Sequence, residues 1–161
     1  TQTSERVNHL VHSRAMRIQH NETISAPIER VWALTLDVES WPQLSPTTIT
    51  SMQCLQEGPL RPGSTVRCKQ PGQRSKIWTV SVVDAPTCFA WSARVFGTTM
   101  TATHILGPTA AGTSNTLAID IEGALAPVVG RLVRRSISKV IALENHGFKT
   151  AAEAGVQPGG R

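Results

Sequence analysis

The sequence predicts an α+β fold, a one-sided antiparallel sheet covered by one long C-terminal helix. Three observations carry that prediction. From about Leu125 to Glu153 the apolar positions Val129, Leu132, Val133, Ile137, Val140, Ile141 and Phe148 recur at helical spacing, with Glu144 as the polar exception. The middle of the chain instead alternates apolar and polar residues with period two, as half-buried strands do. Short Gly- and Pro-containing links separate those strands, which makes consecutive strands antiparallel neighbours. A wide apolar helix face laid across a curved sheet can enclose a cavity as readily as a solid core.

The elements follow in order. Residues 1–16 show weak periodicity and are expected to be a flexible leader. Arg17 to Ser25 reads as the first strand. Ser25-Ala26-Pro27 then starts a helix, with Ser25 able to cap and Pro27 suited to the first turn. Ile28, Val31, Trp32 and Leu34–Leu36 give that helix an apolar face as far as Asp37. Glu39 to Leu44 reads as a second short helix, stopped near Pro46. A strand is expected over Thr48–Gln56, followed by the turn cluster Gly58–Gly63. Further strands are expected over Ser64–Gln70, Arg74–Asp84, Cys88–Val95, Thr98–Leu106 and Ser114–Glu122. Pro71-Gly72, Ala85–Thr87, Gly97 and Gly107–Gly112 divide them. Gly130 and Gly147 interrupt the last helix, where glycine costs about 1 kcal/mol relative to alanine. Gly130 is compatible with close approach of a strand or ligand, Gly147 with a bend, and both with tolerated defects. Residues 17–154 form the expected domain, and 155–161 an expected disordered tail.

Composition narrows the class of protein. The chain has 161 residues, 40% hydrophobic and 17% charged, which suits one globular domain with a substantial core. No apolar run approaches the roughly 20 residues that cross a bilayer, and no signal-peptide h-region is visible. The three cysteines, Cys54, Cys68 and Cys88, are odd in number and widely spaced, so a reducing compartment and a cytoplasmic location are expected. The net charge of +5 is scattered except for Arg131, Arg134, Arg135 and Lys139. With no Tyr, and with its Trp and Phe not interleaved with basic residues, the chain is not expected to bind nucleic acid.

Strand alternation assigns faces. Trp78, Val80 and Val82 share one side of their strand. Phe89, Trp91, Ala93 and Val95 share the same side of the next, then Met100, Ala102, His104 and Leu106, then Leu117, Ile119 and Ile121. The Gly107–Gly112 turn pairs His104 near Leu117, Ala102 near Ile119 and Met100 near Ile121. His104 is therefore one polar group on an apolar face. It is either a core histidine satisfied by a carbonyl or water, or a group that meets a ligand or moves a proton.

Several short motifs occur in a recognisable order. They are Ile24-Ser25-Ala26-Pro27-Ile28-Glu29-Arg30-Val31-Trp32, Asp37, Trp41-Pro42, Gly58-Pro59-Leu60 with Gly63, and Trp78-Thr79-Val80. His104-Ile105-Leu106-Gly107-Pro108, Gly112-Thr113 and Glu122-Gly123 follow before the final helix. Over residues 17–154 this order resembles the START-like superfamily, also called SRPBCC, in its polyketide cyclase/dehydrase and lipid-transport branch. The resemblance implies a helix-grip fold, with a curved seven-stranded antiparallel sheet around the long helix and two small helices after the first strand. It also implies a deep apolar cavity for lipids, polyketides or other hydrophobic molecules. The superfamily has no universal catalytic motif, so the resemblance transfers no catalytic residue.

Other chemistry is not signalled. There is no P-loop, no dinucleotide fingerprint and no HExxH motif. His9 and His12 lie close together in the leader, but no metal or cofactor is expected. Asp120 falls on the face opposite His104, so it cannot orient that ring as a triad would. The leading expectation is a cavity for a small hydrophobic molecule. Its walls would be Trp41, Cys68, Trp78, Trp91, Met100, Ala102, His104 and Ile119. The helix would add Leu132, Ser136, Ile137 and Val140, with His104 and Ser136 as polar anchors. The first alternative is a cyclase/dehydrase-type enzyme with His104 as proton shuttle. The second is an interaction module that presents the basic helix to an acidic protein or a membrane surface.

Overall fold

The computed structural model of the chain describes residues 16–155. The leader expected over residues 1–16 lies outside them apart from Met16, which opens β1 (Met16–Ile24). The expected tail lies outside them beyond Gly155. After β1 come α1 (Ile28–Leu36), a 3-10 turn (Val38–Ser40) and α2 (Trp41–Leu44). Six strands follow: β2 (Ser51–Cys54), β3 (Thr65–Lys69), β4 (Lys76–Asp84), β5 (Cys88–Val95), β6 (Thr98–Thr109) and β7 (Gly112–Glu122). The 29-residue α3 (Ala126–Ala154) closes the fold.

The strands form one seven-stranded sheet in the order β1-β7-β6-β5-β4-β3-β2, antiparallel throughout. β1 and β2 are thus opposite edges, and the segment between them must cross the whole sheet. α1 and α2 make that crossing, with α1 packed on β6, β7 and α3, and α2 on β2 and α3. α3 lies against β1 and β7, so the other side of its apolar face overhangs the middle of the sheet. This is the helix-grip arrangement, an α+β fold.

Local differences from the expected elements have identifiable causes. Pro27 is the N-cap of α1, and Ser25 does not cap it. The Ser25 N–H instead donates to Glu153 Oε1 at 2.8 Å, tying the start of α1 to the end of α3. β2 begins later than expected because the Thr48 and Ile49 N–H groups bond back to Ser45 O, at 3.1 and 3.0 Å. β6 runs on through Pro108 to Thr109, leaving a two-residue turn before Gly112. The register is nevertheless the expected one, with His104 opposite Leu117, Ala102 opposite Ile119 and Met100 opposite Ile121. A β-bulge between Val80 and Val82 corrects one face assignment. It turns Val82 out to solvent and brings Val83 against the core.

Two close contacts seat α3, one against the sheet and one against α2. Gly130 faces Met16 of β1, where an added Cβ would sit 2.4 Å from the Met16 sulfur. Gly147 faces the backbone of α2, where a Cβ would sit 2.2 Å from Leu44 O. Both glycines therefore mark close approaches of another element. Between them the buried Asn145 accepts from Asn115 Nδ2 at 2.9 Å, and its own Nδ2 donates to Asn115 O at 3.0 Å. The same amide reaches the His20 carbonyl at 3.2 Å, so one side chain ties α3 to both β7 and β1. Among the described residues no helix is long and apolar enough to cross a membrane.

Candidate ligand cavity

Between the middle of the sheet and the overhanging face of α3 lies a cavity of about 170 Å³. α2 contributes Trp41, β3 Cys68, β4 Trp78 and β5 Trp91. β6 contributes Met100, Ala102 and His104, and β7 Ile119. From α3 come Ser136, Ile137 and Val140. Leu132, expected among these, is corrected. It is 80% exposed and lies on the outer side of α3, and its neighbour Val133 lines the cavity instead. Successive helical residues are turned by about 100°, which separates the two.

Aromatic rings build one wall. Trp41 meets Trp91 edge-on at 5.2 Å between centroids and Phe148 at 5.4 Å, and Trp78 lies 5.5 Å from Trp91. Edge-to-face pairs at such spacing contribute beyond their burial. The Trp41 indole is held by a 3.0 Å bond from its Nε1 to Leu34 O, so α1 sets its orientation.

His104 sits inside this wall. Its ring lies 5.1 Å from Trp41, 5.5 Å from Phe148 and 6.0 Å from Phe89. Desolvation by these rings pushes the imidazole pKa down to about 3, so the ring is neutral at neutral pH. Its Nδ1 is buried without a hydrogen-bond partner. Among the described residues no backbone carbonyl serves this nitrogen. Asp120, on the other face, pairs with Arg17 at 2.9 Å.

Glu144 is the cavity residue that sequence reasoning left out of the site. It lines the cavity, and burial pushes its carboxyl up to about 7, opposed by a hydrogen bond from Thr48. Among the described residues no cation comes within ion-pairing distance of it. The signal was present, because Glu144 follows Ile137 by two helical turns and Val140 by one, on the same inward stripe. Burial, and next the Glu144 charge, push the neighbouring Cys68 thiol up to about 11, which leaves it un-ionised and a poor nucleophile. The accessible residues Gln73, Phe96 and Ser136 form part of the rim. Among the described residues no cluster of His, Cys, Asp or Glu could hold a metal ion. His9 and His12 lie outside those residues.

The family described as polyketide cyclase/dehydrase and lipid transport matches this chain over residues 15–153. The chain belongs to that family. No curated protein matches it in sequence. Its fold recurs in the di-domain aromatase/cyclase StfQ of the steffimycin pathway, with a TM-score of 0.71 and 13% identity. That match covers 88% of this chain and 53% of the two-domain protein, so the present chain spans about half of it. A Thalictrum norcoclaurine synthase mutant, solved with a transition-state analogue, gives 0.71 and 14% identity over 88% of this chain and 96% of its own. The major latex-like protein 151 of Panax ginseng gives 0.68 and 11% identity, with 86% and 97% covered. At these identities the likeness is one of fold. Membership in the cyclase/dehydrase family, together with the cavity, supports a ligand-binding or cyclase role.

Proposed function

We propose that this cyclase/dehydrase-family chain binds one small, largely aromatic hydrophobic molecule in the sheet–helix cavity. The observation that carries the reading is an aromatic-walled cavity lined by a neutral histidine whose buried Nδ1 has no protein partner. Buried polar groups without partners are rare in folded proteins, and a ligand hydroxyl or carbonyl would satisfy this one. Size favours an aromatic metabolite over a long-chain lipid. A dry engineered cavity of about 150 Å³ holds benzene, so about 170 Å³ accommodates a ring-sized group without rearrangement. Larger polyketides fit only if flexible lining residues such as Met52 and Met100 move aside.

A second reading, turnover of a cyclase/dehydrase kind, is favoured by one specific observation. A carboxyl with a pKa of about 7 in the cavity is matched to proton transfer at neutral pH, whereas an imidazole at about 3 is not. On this reading Glu144 moves the proton and His104 positions the substrate by hydrogen bonding. The proton-shuttle role expected of His104 therefore passes to Glu144.

Calorimetric titration with 2-naphthol and with naphthalene tests the binding reading. Both should bind saturably. His104→Phe should weaken 2-naphthol about tenfold, the value of one hydrogen bond to a buried group, and leave naphthalene nearly unchanged. No saturable binding of either compound, or equal losses for both, would refute the assignment.

A further inference from the structure

The outer face of α3 combines apolar side chains in water with a run of uncompensated cations. Leu125, Val128 and Leu132 are exposed along it, Leu132 by 80%. Phe96, in the turn between β5 and β6, is 78% exposed. That turn adjoins the start of α3, since a Cβ on Gly97 would lie 3.4 Å from Leu125 Cδ1. Phe96 also holds φ at +49°, a left-handed conformation that bulky residues avoid. A phenyl ring held strained and largely solvated at the cavity rim buries little apolar surface in the isolated chain.

The charge is concentrated on the same helix. From Gly123 to Leu143 the chain carries Arg131, Arg134, Arg135 and Lys139 and no Asp or Glu. All four cations are exposed, and together they nearly account for the net charge of +5. Just outside this stretch, exposed Arg94 and Glu122 flank Thr99 on neighbouring strands and offset each other. The surface adjoins the cavity mouth, because Phe96, Val133 and Ser136 line the cavity.

We infer that the N-terminal half of α3 and the Phe96 turn dock on an anionic lipid surface. Apolar tips standing singly between cations suit the soft boundary between headgroups and acyl chains, where they insert while the cations meet lipid charge. A second copy of the chain fits poorly, since a two-fold contact would set this cationic stripe against itself. An acidic protein would satisfy the cations but leave the protruding Leu132 and Phe96 unexplained. Docked in this way, the cavity mouth faces the bilayer, and a hydrophobic ligand passes between membrane and cavity with little exposure to water. That last consequence rests on the binding reading above, whereas the docking does not.

Vesicle flotation of the full chain tests the docking, using phosphatidylcholine vesicles with and without phosphatidylserine. The chain should float with the mixed vesicles and not with the neutral ones. Each basic residue at an anionic surface contributes roughly fivefold, so Arg131→Gln with Arg135→Gln should weaken flotation at least tenfold. Leu132→Ser should weaken it severalfold. Neither change touches the cavity lining, so 2-naphthol affinity should stay unchanged and report intact folding. No flotation with mixed vesicles, or equal flotation with neutral ones, overturns the inference. So does insensitivity to the arginine changes. Binding to polyglutamate as tight as to vesicles and indifferent to Leu132→Ser would assign the stripe to an acidic protein and also overturn it. If 2-naphthol does not bind the wild type while flotation behaves as expected, the cavity reading fails and the docking stands.

Discussion

Replacing Glu144 with glutamine removes one titration from the cavity wall and changes how stability depends on pH. Burial raises the carboxyl from 4.5 to about 7 in the folded chain. The folded state therefore holds this proton more tightly than the unfolded chain does. Protonation favours folding, and the resulting stabilisation is present in full below about 4.5. It is lost as pH rises through about 7, where the folded chain must hold a buried carboxylate. At about 1.4 kcal/mol per pH unit, the shift corresponds to about 3 kcal/mol. Glutamine keeps the shape and stays neutral at every pH. The Glu144→Gln variant should match wild type in acid and exceed it by about 3 kcal/mol above pH 7, with the gap opening between the two pKa values. Urea unfolding of both proteins across that range measures the gap directly. A difference that does not change with pH would refute the buried-carboxyl argument, and with it the case for Glu144 as a proton-transfer group.

The glycines of α3 separate two kinds of close approach. Gly147→Ala would place a Cβ 2.2 Å from a backbone oxygen of α2, which cannot rotate away, and should cost about 1–3 kcal/mol in thermal unfolding despite the better helix propensity. Gly130→Ala meets the movable end of the Met16 side chain and should lie within about 1 kcal/mol of wild type. Asn145→Ala strands buried partners on both β7 and β1 and should lower stability by about 2–4 kcal/mol, with amide exchange rising in β1.

Where one local rule decided the outcome, the sequence was readable. On β5, β6 and β7 alternation alone assigned the faces, and the link after β6 set His104 opposite Leu117 even though that strand runs three residues further than expected. Helical period likewise placed Ser136, Ile137 and Val140 toward the sheet. Errors arose where two rules competed. On β4 the extra residue at Ser81 reverses the alternation, and nothing in a run of Val, Ser and Val announces a bulge. On α3 apolar residues occupy both faces, so apolarity could not tell Leu132 from Val133. That ambiguity has a physical source. An ordinary surface helix has one apolar stripe, whereas the first half of α3 has one facing the cavity and a second in water among cations. The Asn115–Asn145 bond was invisible for a different reason, since it joins residues 30 positions apart whose pairing depends on where α3 crosses β7. Glu144 lies between these cases. Its position on the inward stripe was legible, but the charge it brings to a cavity wall acquires meaning only once no cation is found beside it. A carboxylate without a counter-ion in an apolar wall destabilises the folded chain at neutral pH, and that cost is what the Glu144→Gln comparison isolates.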